Sequence, residues 1–153
     1  KLDKSNLIVD KGIRIIKKNI VFEDNYWKLS GSHDGYLKKF KTIHEREIEF
    51  YPEQMKFIGF DRLLRKNKSE NIKFDIRFHL DSNSKVMKTQ DNRSILIELE
   101  DEGWKFNCEN FDINIDNGLY LGIKNSYKEN QNICISGISN EKSQTIKWEI
   151  TKL

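Results

Sequence analysis

Cysteine, proline and long apolar runs are scarce in this chain, and their scarcity excludes several kinds of structure. The two cysteines, Cys108 and Cys134, have the spacing of no metal motif and are too few for a disulfide framework, so we predict two buried free thiols. No apolar run approaches the roughly 18 residues that a membrane-spanning helix needs, which predicts no membrane insertion. The polar start K-L-D-K-S-N is unlike a signal peptide, and a first residue other than Met indicates part of a longer protein.

A strong excess of charge of one sign is also missing. The chain has 27 basic and 24 acidic residues, a net charge of +3. A nucleic-acid binder normally concentrates positive charge to neutralise several phosphates, so we predict no nucleic-acid partner. A modest local excess at Lys38, Lys39 and Lys41 is still able to attract an acidic polymer.

Helical periodicity is the third absence, because apolar residues nowhere recur at spacings of three and four over several turns. They alternate instead, most clearly in the run Ile72–Leu80, and the runs at 43–50 and 55–64 flank a Y-P-E-Q turn, which predicts a hairpin. We also predict a short strand at Leu7–Val9, a closing turn at Ser30-Gly31, a charged loop at 65–71 and a polar loop at 125–130. The pattern predicts a single all-β domain over residues 1–153. We expect an antiparallel β-sandwich of roughly ten or more strands with little or no helix.

Several conspicuous side chains fit this packing without a functional role. Trp104 and Trp148 lie in alternating runs, which favours the core over a sugar-stacking platform. His79 falls on the face of its strand opposite the apolar residues, beside Asp75 and Arg77, and no second ligand stands at a metal-binding spacing from it. We therefore predict no metal site.

Six short motifs occur in a recognisable order. They are S-H-D-G-Y at 32–36, I-H-E-R at 43–46, G-F-D-R-L at 59–63, F-D-I-R-F-H-L at 74–80, G-W-K-F at 103–106, and a closing I-C-I-S-G followed by I-K-W-E-I. Each is weak alone, but together the chain from about Tyr26 to its end resembles the C-terminal β-sandwich of heparinase II/III-like proteins.

The resemblance implies a larger parent, in which a helical toroid precedes this sandwich. Such proteins are polysaccharide lyases that cleave uronic-acid-containing chains such as heparan sulfate by β-elimination. The reaction neutralises the uronate carboxylate, removes the C5 proton and protonates the leaving C4 oxygen, for which His and Tyr are suitable acids and bases. The resemblance further implies an acidic polysaccharide partner, no cofactor, and a periplasmic or cell-envelope location, with the cytoplasm as the alternative.

One departure from the family pattern bears on activity. The family's histidine motifs of H-A-D and H-N-T type lie before the H-D-G-Y motif, and neither stands in this sequence. The resemblance then implies that the main catalytic residues lie outside this chain, which should be inactive by itself. The alternative is a non-catalytic carbohydrate-binding or interdomain scaffold module.

Within the chain, the stretch Ser32–Leu64 concentrates the candidate site residues. His33 and Tyr36 are weak catalytic candidates that would line a cleft facing the toroid, or else they hydrogen-bond to backbone around an Asp34-Gly35 turn. The candidates for the substrate groove are His44, Arg46 and Arg62.

Both His44 and Arg46 have an alternative role. They are able to bind a sulfate or carboxylate, or to form cross-strand ion pairs with an acidic residue. We favour the second role, and Arg46–Asp61 is the pair that we predict.

Overall fold

A computed structural model describes residues 13–65, 71–122, 124 and 126–153 of the chain. The described residues form eleven strands in two antiparallel sheets, and one short helix. The predicted all-β sandwich with little helix is therefore confirmed. The described residues contain no helix long and apolar enough to cross a membrane.

The larger sheet has eight strands and the smaller one has three. The large sheet runs in the order β1-β2-β3-β4-β11-β8-β7-β6, and the small sheet in the order β5-β10-β9. The strands are β1 Ile15–Glu23, β2 Tyr26–His33, β3 Thr42–Tyr51, β4 Lys56–Arg65, β5 Ile72–His79, β6 Lys85–Lys88, β7 Ser94–Leu99, β8 Glu102–Asn107, β9 Asp112–Tyr120, β10 Lys128–Ser139 and β11 Ser143–Lys152.

The predicted hairpin at 43–64 is present as β3 and β4. Pro52 opens a 3-10 turn, Pro52–Gln54, because its fixed φ suits the start of a helical turn and its missing N–H costs nothing there. The turn closes at Met55 with a left-handed φ of 45°. A second helical segment, α1 at Leu37–Phe40, follows the H-D-G-Y motif. Four residues are too few to leave a periodic signal in the sequence.

The core lies between the two sheets, and Trp148 is at its centre. Its ring packs against Phe78 and Phe106, with centroids 4.8 Å and 6.2 Å away. A Cβ at Gly59 would lie 2.0 Å from this ring, so only glycine fits beside it. Trp148 is 3% exposed and Trp104 packs, partly buried, against the same core, as predicted. Cys108 and Cys134 are buried free thiols, which confirms that prediction too.

Two strands are longer than the sequence predicts. β2 continues through Ser30 and Gly31, which read as a closing turn, because strands on both sides pair with them. β10 begins at Lys128, inside a stretch predicted as a polar loop over 125–130, because its first residues pair with β9. A predicted short strand at Leu7–Val9 lies outside the described residues, as does most of a predicted charged loop at 65–71.

The unequal size of the two sheets creates an open region. Among the described residues, β5 pairs only with β10, so it forms an edge of the small sheet. Beyond that edge the large sheet continues as β3, β2 and β1. Apolar side chains of this region stay exposed, with Ile20, Phe22 and Leu29 each more than half accessible. The candidate site lies where this edge meets the open region.

Candidate functional site

A cleft of about 420 Å³ lies between strand β5 and the turn that joins β2 to α1. Four of the five predicted site residues line it: His33, Tyr36, His44 and Arg46. Its volume falls within the range of about 300–1,000 Å³ that is common for small-molecule sites. The remaining lining residues are Phe40, Thr42, Leu63, Arg65, Ile72, Lys73, Phe74, Asp75, Ile76, Arg77 and Ser139.

Strand register brings the polar side chains of this cleft together. His33, the last residue of β2, is paired with His44 of β3. Two residues further along β3, Arg46 is paired with Asp61 of β4. Since side chains two apart along a strand share a face, these four groups form one polar cluster on the inner face of the large sheet.

Asp61 is the buried end of this cluster. Its carboxylate is 0% exposed. Oδ1 accepts hydrogen bonds from His44 Nε2 at 2.6 Å and Arg46 Nε at 2.8 Å. Oδ2 accepts from Arg46 Nη2 at 3.1 Å and Trp148 Nε1 at 2.9 Å. The predicted Arg46–Asp61 ion pair is thus confirmed, as a bidentate contact.

Burial alone would raise the pKa of Asp61, because it disfavours the charged carboxylate. The hydrogen bonds from His44 and Arg46, the Arg46 charge and the Trp148 indole outweigh burial and hold that pKa below its usual range. Asp61 therefore stays ionised. Arg46 is also positioned by Phe78, whose ring centroid lies 5.6 Å from the guanidinium carbon.

The two histidines of the cleft are joined in a chain of hydrogen bonds. The backbone N–H of Gly35 donates to His33 Nδ1 at 3.2 Å, and His33 Nε2 lies 3.3 Å from His44 Nδ1. Because His33 Nδ1 accepts, the proton of neutral His33 is on Nε2, and it is donated to His44 Nδ1. The proton of His44 is then on Nε2, which donates to Asp61.

This chain of contacts uses all four ring nitrogens and is complete only when both imidazoles are neutral. A further proton on His33 Nδ1 would face the N–H of Gly35, and one on His44 Nδ1 would face the N–H of His33. The fold accordingly lowers the pKa of His33, by burial first and by the neighbouring His44 second, while Asp34 opposes the shift.

The H-D-G-Y turn is held in place by Arg14, the residue before β1. Asp34 Oδ1 accepts from the backbone N–H of Arg14 at 2.7 Å, and Oδ2 accepts from Arg14 Nε at 2.9 Å. These contacts lower the pKa of Asp34, the backbone hydrogen bond most. The hydrogen bond from the Gly35 N–H to His33 Nδ1 is of the kind that the turn interpretation predicts. Tyr36 instead presents a ring that is 48% exposed, 5.4 Å from the His33 ring.

Arg62, the fifth candidate, lies apart from the others. It is adjacent to Asp61 in β4, and because successive side chains of a strand point to opposite faces, Arg62 points to the outer face of the sheet. There it donates to Glu45 at 2.9 Å and Glu47 at 3.2 Å. Lys28 contacts the same Glu47 at 2.8 Å, so Arg62 belongs to a cross-strand ion network outside the cleft.

Strand β5 contributes polar residues to the cleft that the sequence did not assign to a site. Lys73, Asp75 and Arg77 alternate with the core residues of β5, and their alternation predicted only a polar outer face. At the edge of a sheet, side chains of both faces reach the adjoining cleft. His79 lies on this outer face and is exposed, as predicted.

The cleft has more positive than negative side chains. Arg46, Arg65, Lys73 and Arg77 line it, against Asp75 alone, with Asp61 buried behind Arg46. In the part of the chain that the structure describes, no group of three or more His, Cys, Asp or Glu side chains has an arrangement that holds a metal ion. The arrangement of this cleft suits an anionic ligand rather than a cation.

Comparison with known protein families gives one match over nearly the whole chain. The family model described as "Heparinase II/III-like, C-terminal" matches residues 6–149, beginning earlier than the Tyr26 that the motifs indicate. A comparison with curated proteins finds no match.

Solved structures share the fold at low sequence identity. The crystal structure of the heparan sulfate lyase HepC from Pedobacter heparinus superposes with a TM-score of 0.76 and 13% identity, covering 99% of this chain. The heparinase III BT4657 gene product superposes with a TM-score of 0.70 and 14% identity, covering 100% of this chain. The present chain spans 23% of the length of each of these proteins.

Proposed function

The chain belongs to the heparinase II/III-like C-terminal domain family, and from this premise we propose that it is the C-terminal β-sandwich of a polysaccharide lyase. The proposed parent protein cleaves a uronic-acid-containing polysaccharide by β-elimination, in the periplasm or cell envelope. The observation that carries the proposal is the family match over residues 6–149. Its support is the shared fold with HepC, which is a heparan sulfate lyase four times as long.

The cleft chemistry fits a supporting role and not the elimination itself. β-Elimination needs a base that takes the C5 proton. Each nitrogen of His33 and His44 is already engaged, by Gly35, by the other ring or by Asp61, so neither imidazole offers a free basic nitrogen. We therefore expect the base to lie in the upstream part of the parent, and the isolated chain to be inactive.

The experiment compares the 153-residue chain with a longer protein that includes its upstream sequence. Both are incubated with heparan sulfate and with other uronate polymers, and the absorbance of the new C4–C5 double bond is followed. We expect product from the longer protein alone. Elimination by the 153-residue chain would show that the base lies inside it, and an inactive longer protein on every uronate polymer would overturn the lyase assignment.

A second candidate function is a non-catalytic carbohydrate-binding module, and one observation favours it. Phe22 and Trp27 stack at 4.7 Å on the open part of the large sheet and are 73% and 39% exposed. Phe50 continues the row 5.1 Å from Trp27. Exposed aromatic rows are able to stack on sugar rings. Under this function, the Trp27→Ala variant loses binding of neutral oligosaccharides and the longer protein shows no elimination.

A further inference from the structure

We propose that the cleft between the β2–α1 turn and strand β5 binds one acidic sugar residue, and that this binding takes up a proton on the His33–His44 pair. The proposal deepens the proposed function, on which it rests for the kind of ligand. It assigns a binding site for an acidic sugar to this domain.

The charge of the cleft selects an anion. Arg46 is neutralised by Asp61 at 2.8 Å, and Arg77 contacts Asp75 and Asp116 at 3.4 Å and 3.5 Å. Lys73 is exposed and forms no ion pair with any described residue. Its ammonium group is thus available to a sulfate or carboxylate, for which it acts as a point charge.

The aromatic side chains of the cleft provide a surface on which a sugar ring can stack. Tyr36 and Phe40 are 48% and 39% exposed, and their ring centroids lie 6.4 Å apart. The Nζ atom of Lys39 lies 5.1 Å from the Phe40 ring centroid and adds positive charge beside it. An apolar face next to cations matches a sugar ring that carries a sulfate or carboxylate, since the ring stacks while the anion pairs.

The hydrogen-bond chain explains why binding takes up a proton. With no ligand, a further proton breaks either the Gly35–His33 or the His33–His44 contact, so the pair remains neutral. An anion in the cleft favours the protonated form of His33. The cationic ring turns away from Gly35 and donates a charge-assisted hydrogen bond to the anion. The lost bond is thereby replaced by a stronger one.

Two carboxylates lie beside the pair, and both are already ionised, so neither of them takes up the proton. Asp61 is held ionised by its four hydrogen bonds, and the carboxylate of Asp34 by Arg14. Among the described residues, the charged and titratable groups around the pair are Arg14 and Asp34 at the turn, Tyr36 before α1, Arg46 of β3, Asp61 and Arg65 of β4, and Lys73, Asp75 and Arg77 of β5, with Lys18 of β1 beside Arg46.

The test is an NMR titration of the 153-residue chain with a heparan sulfate tetrasaccharide at about pH 6 and about pH 8, on either side of the ordinary histidine pKa of about 6.5. The chain has three histidines, so their imidazole resonances are easily resolved. We expect the resonances of His33 and His44 to shift, while those of His79 stay in place. The dissociation constant should fall several-fold from the higher to the lower pH, with a limit of about tenfold per pH unit for one proton.

Three further ligands identify the group that is recognised. A desulfated tetrasaccharide that binds equally well identifies the carboxylate, and one that does not bind identifies the sulfate. Inorganic sulfate alone should bind more weakly, because it cannot stack on Tyr36 and Phe40. A neutral cellotetraose that shifts the same resonances with the same affinity would overturn the proposal.

The variants separate the proton from the charge. His33→Asn keeps an acceptor for the Gly35 N–H but has no titratable ring, so it should bind with an affinity that no longer depends on pH. Lys73→Gln should bind more weakly at both pH values. His79→Asn is the matched control, because it removes an exposed histidine of β5 outside the cleft. A pH dependence that persists in His33→Asn would show that His33 is not the group that takes up the proton, and it would overturn the proposal.

A second histidine variant guards against loss of folding. His44→Gln places an amide near the position of the imidazole Nε2, where it is able to donate to Asp61. It leaves His33 as the titratable ring, so binding should still be tighter at the lower pH, and a loss of the pH dependence in this variant would contradict proton uptake by His33. Binding is measured without cleavage, so the two proposals fail separately. An active longer protein whose cleft does not bind overturns only this site, whereas binding by a chain with an inactive parent overturns only the lyase assignment.

Discussion

Replacing Asp61 with asparagine should destabilise the domain more than any other single loss of a charge in the described structure. The carboxylate is 0% exposed and accepts four hydrogen bonds, two on each oxygen. An asparagine of the same size has one oxygen and one amide nitrogen. Its N–H₂ group must therefore face two N–H donors, whichever way the amide is turned.

The magnitude follows from the buried charge. Removing one partner of a buried ion pair costs about 3–5 kcal/mol, because the other charge remains buried and unpaired. Here Arg46 is the partner, with a side chain that is 35% exposed, so some water reaches it and the lower part of that range is expected. For a domain of this size, about 3 kcal/mol corresponds to a fall of roughly 10 °C in Tm.

The assay is urea unfolding followed by circular dichroism, with Glu98→Gln as the control. Glu98 pairs with Lys85 at 3.2 Å on side chains that are 62% and 79% exposed, and such pairs contribute about 1 kcal/mol or less. A double-mutant cycle then tests the pairing, since Arg46→Met should cost less in the Asp61→Asn background than in the natural chain. If Asp61→Asn costs no more than Glu98→Gln, the buried network does not hold these strands together.

Three other predictions concern the core and the pH dependence of stability. Gly59→Ala should lower the free energy of unfolding by about 1–3 kcal/mol, because its Cβ would overlap the Trp148 ring, whereas Gly31→Ala, with 3.7 Å to the nearest atom, should cost little by the same unfolding assay. Phe106→Ala should cost about 3–5 kcal/mol, since the ring is 0% exposed and leaves a cavity that thermal unfolding will register. The fold lowers the pKa of His33, so its contribution to stability is fully present above about pH 6.5 and is lost as the pH falls below that value, where the unfolded chain takes up the proton. Unfolding curves between about pH 8 and about pH 5 should show this loss, and His33→Asn should flatten it.

The sequence predicted the sandwich well because strand alternation is a local property. The run Ile72–Leu80 encodes both the strand β5 and its buried face, and no distant residue is needed to recognise either. Errors arose where pairing partners outweigh local composition. Gly31 reads as a turn on its own, but strands β1 and β3 pair with it on both sides and extend β2 past it.

The sequence predicted the cleft residues of the large sheet but not those of the small sheet. His33, His44 and Arg46 share a face through the register of β2 and β3, and alternation reveals that face. Lys73 lines the same cleft from the small sheet. A local sequence pattern does not show which strands of two different sheets lie close together, so this residue was not predicted. The pairing of Arg46 with Asp61 was predictable because the hairpin loop fixes the register across β3 and β4.

Stability and the proposed binding site depend on the same carboxylate. Asp61 accepts a hydrogen bond from the Trp148 indole on the core side and one from the His44 imidazole on the cleft side. Because the core holds this carboxylate in place, it also fixes the proton of His44 on Nε2. The Gly35 N–H fixes the proton of His33 independently, from the outer end of the chain. The Gly35 N–H and the Asp61 carboxylate impose the same donor-to-acceptor direction on the hydrogen bonds of His33 and His44. Neither imidazole can then take a further proton until a ligand supplies a new acceptor. A variant that disturbs either end should therefore change the pH dependence of binding even where it touches no ligand.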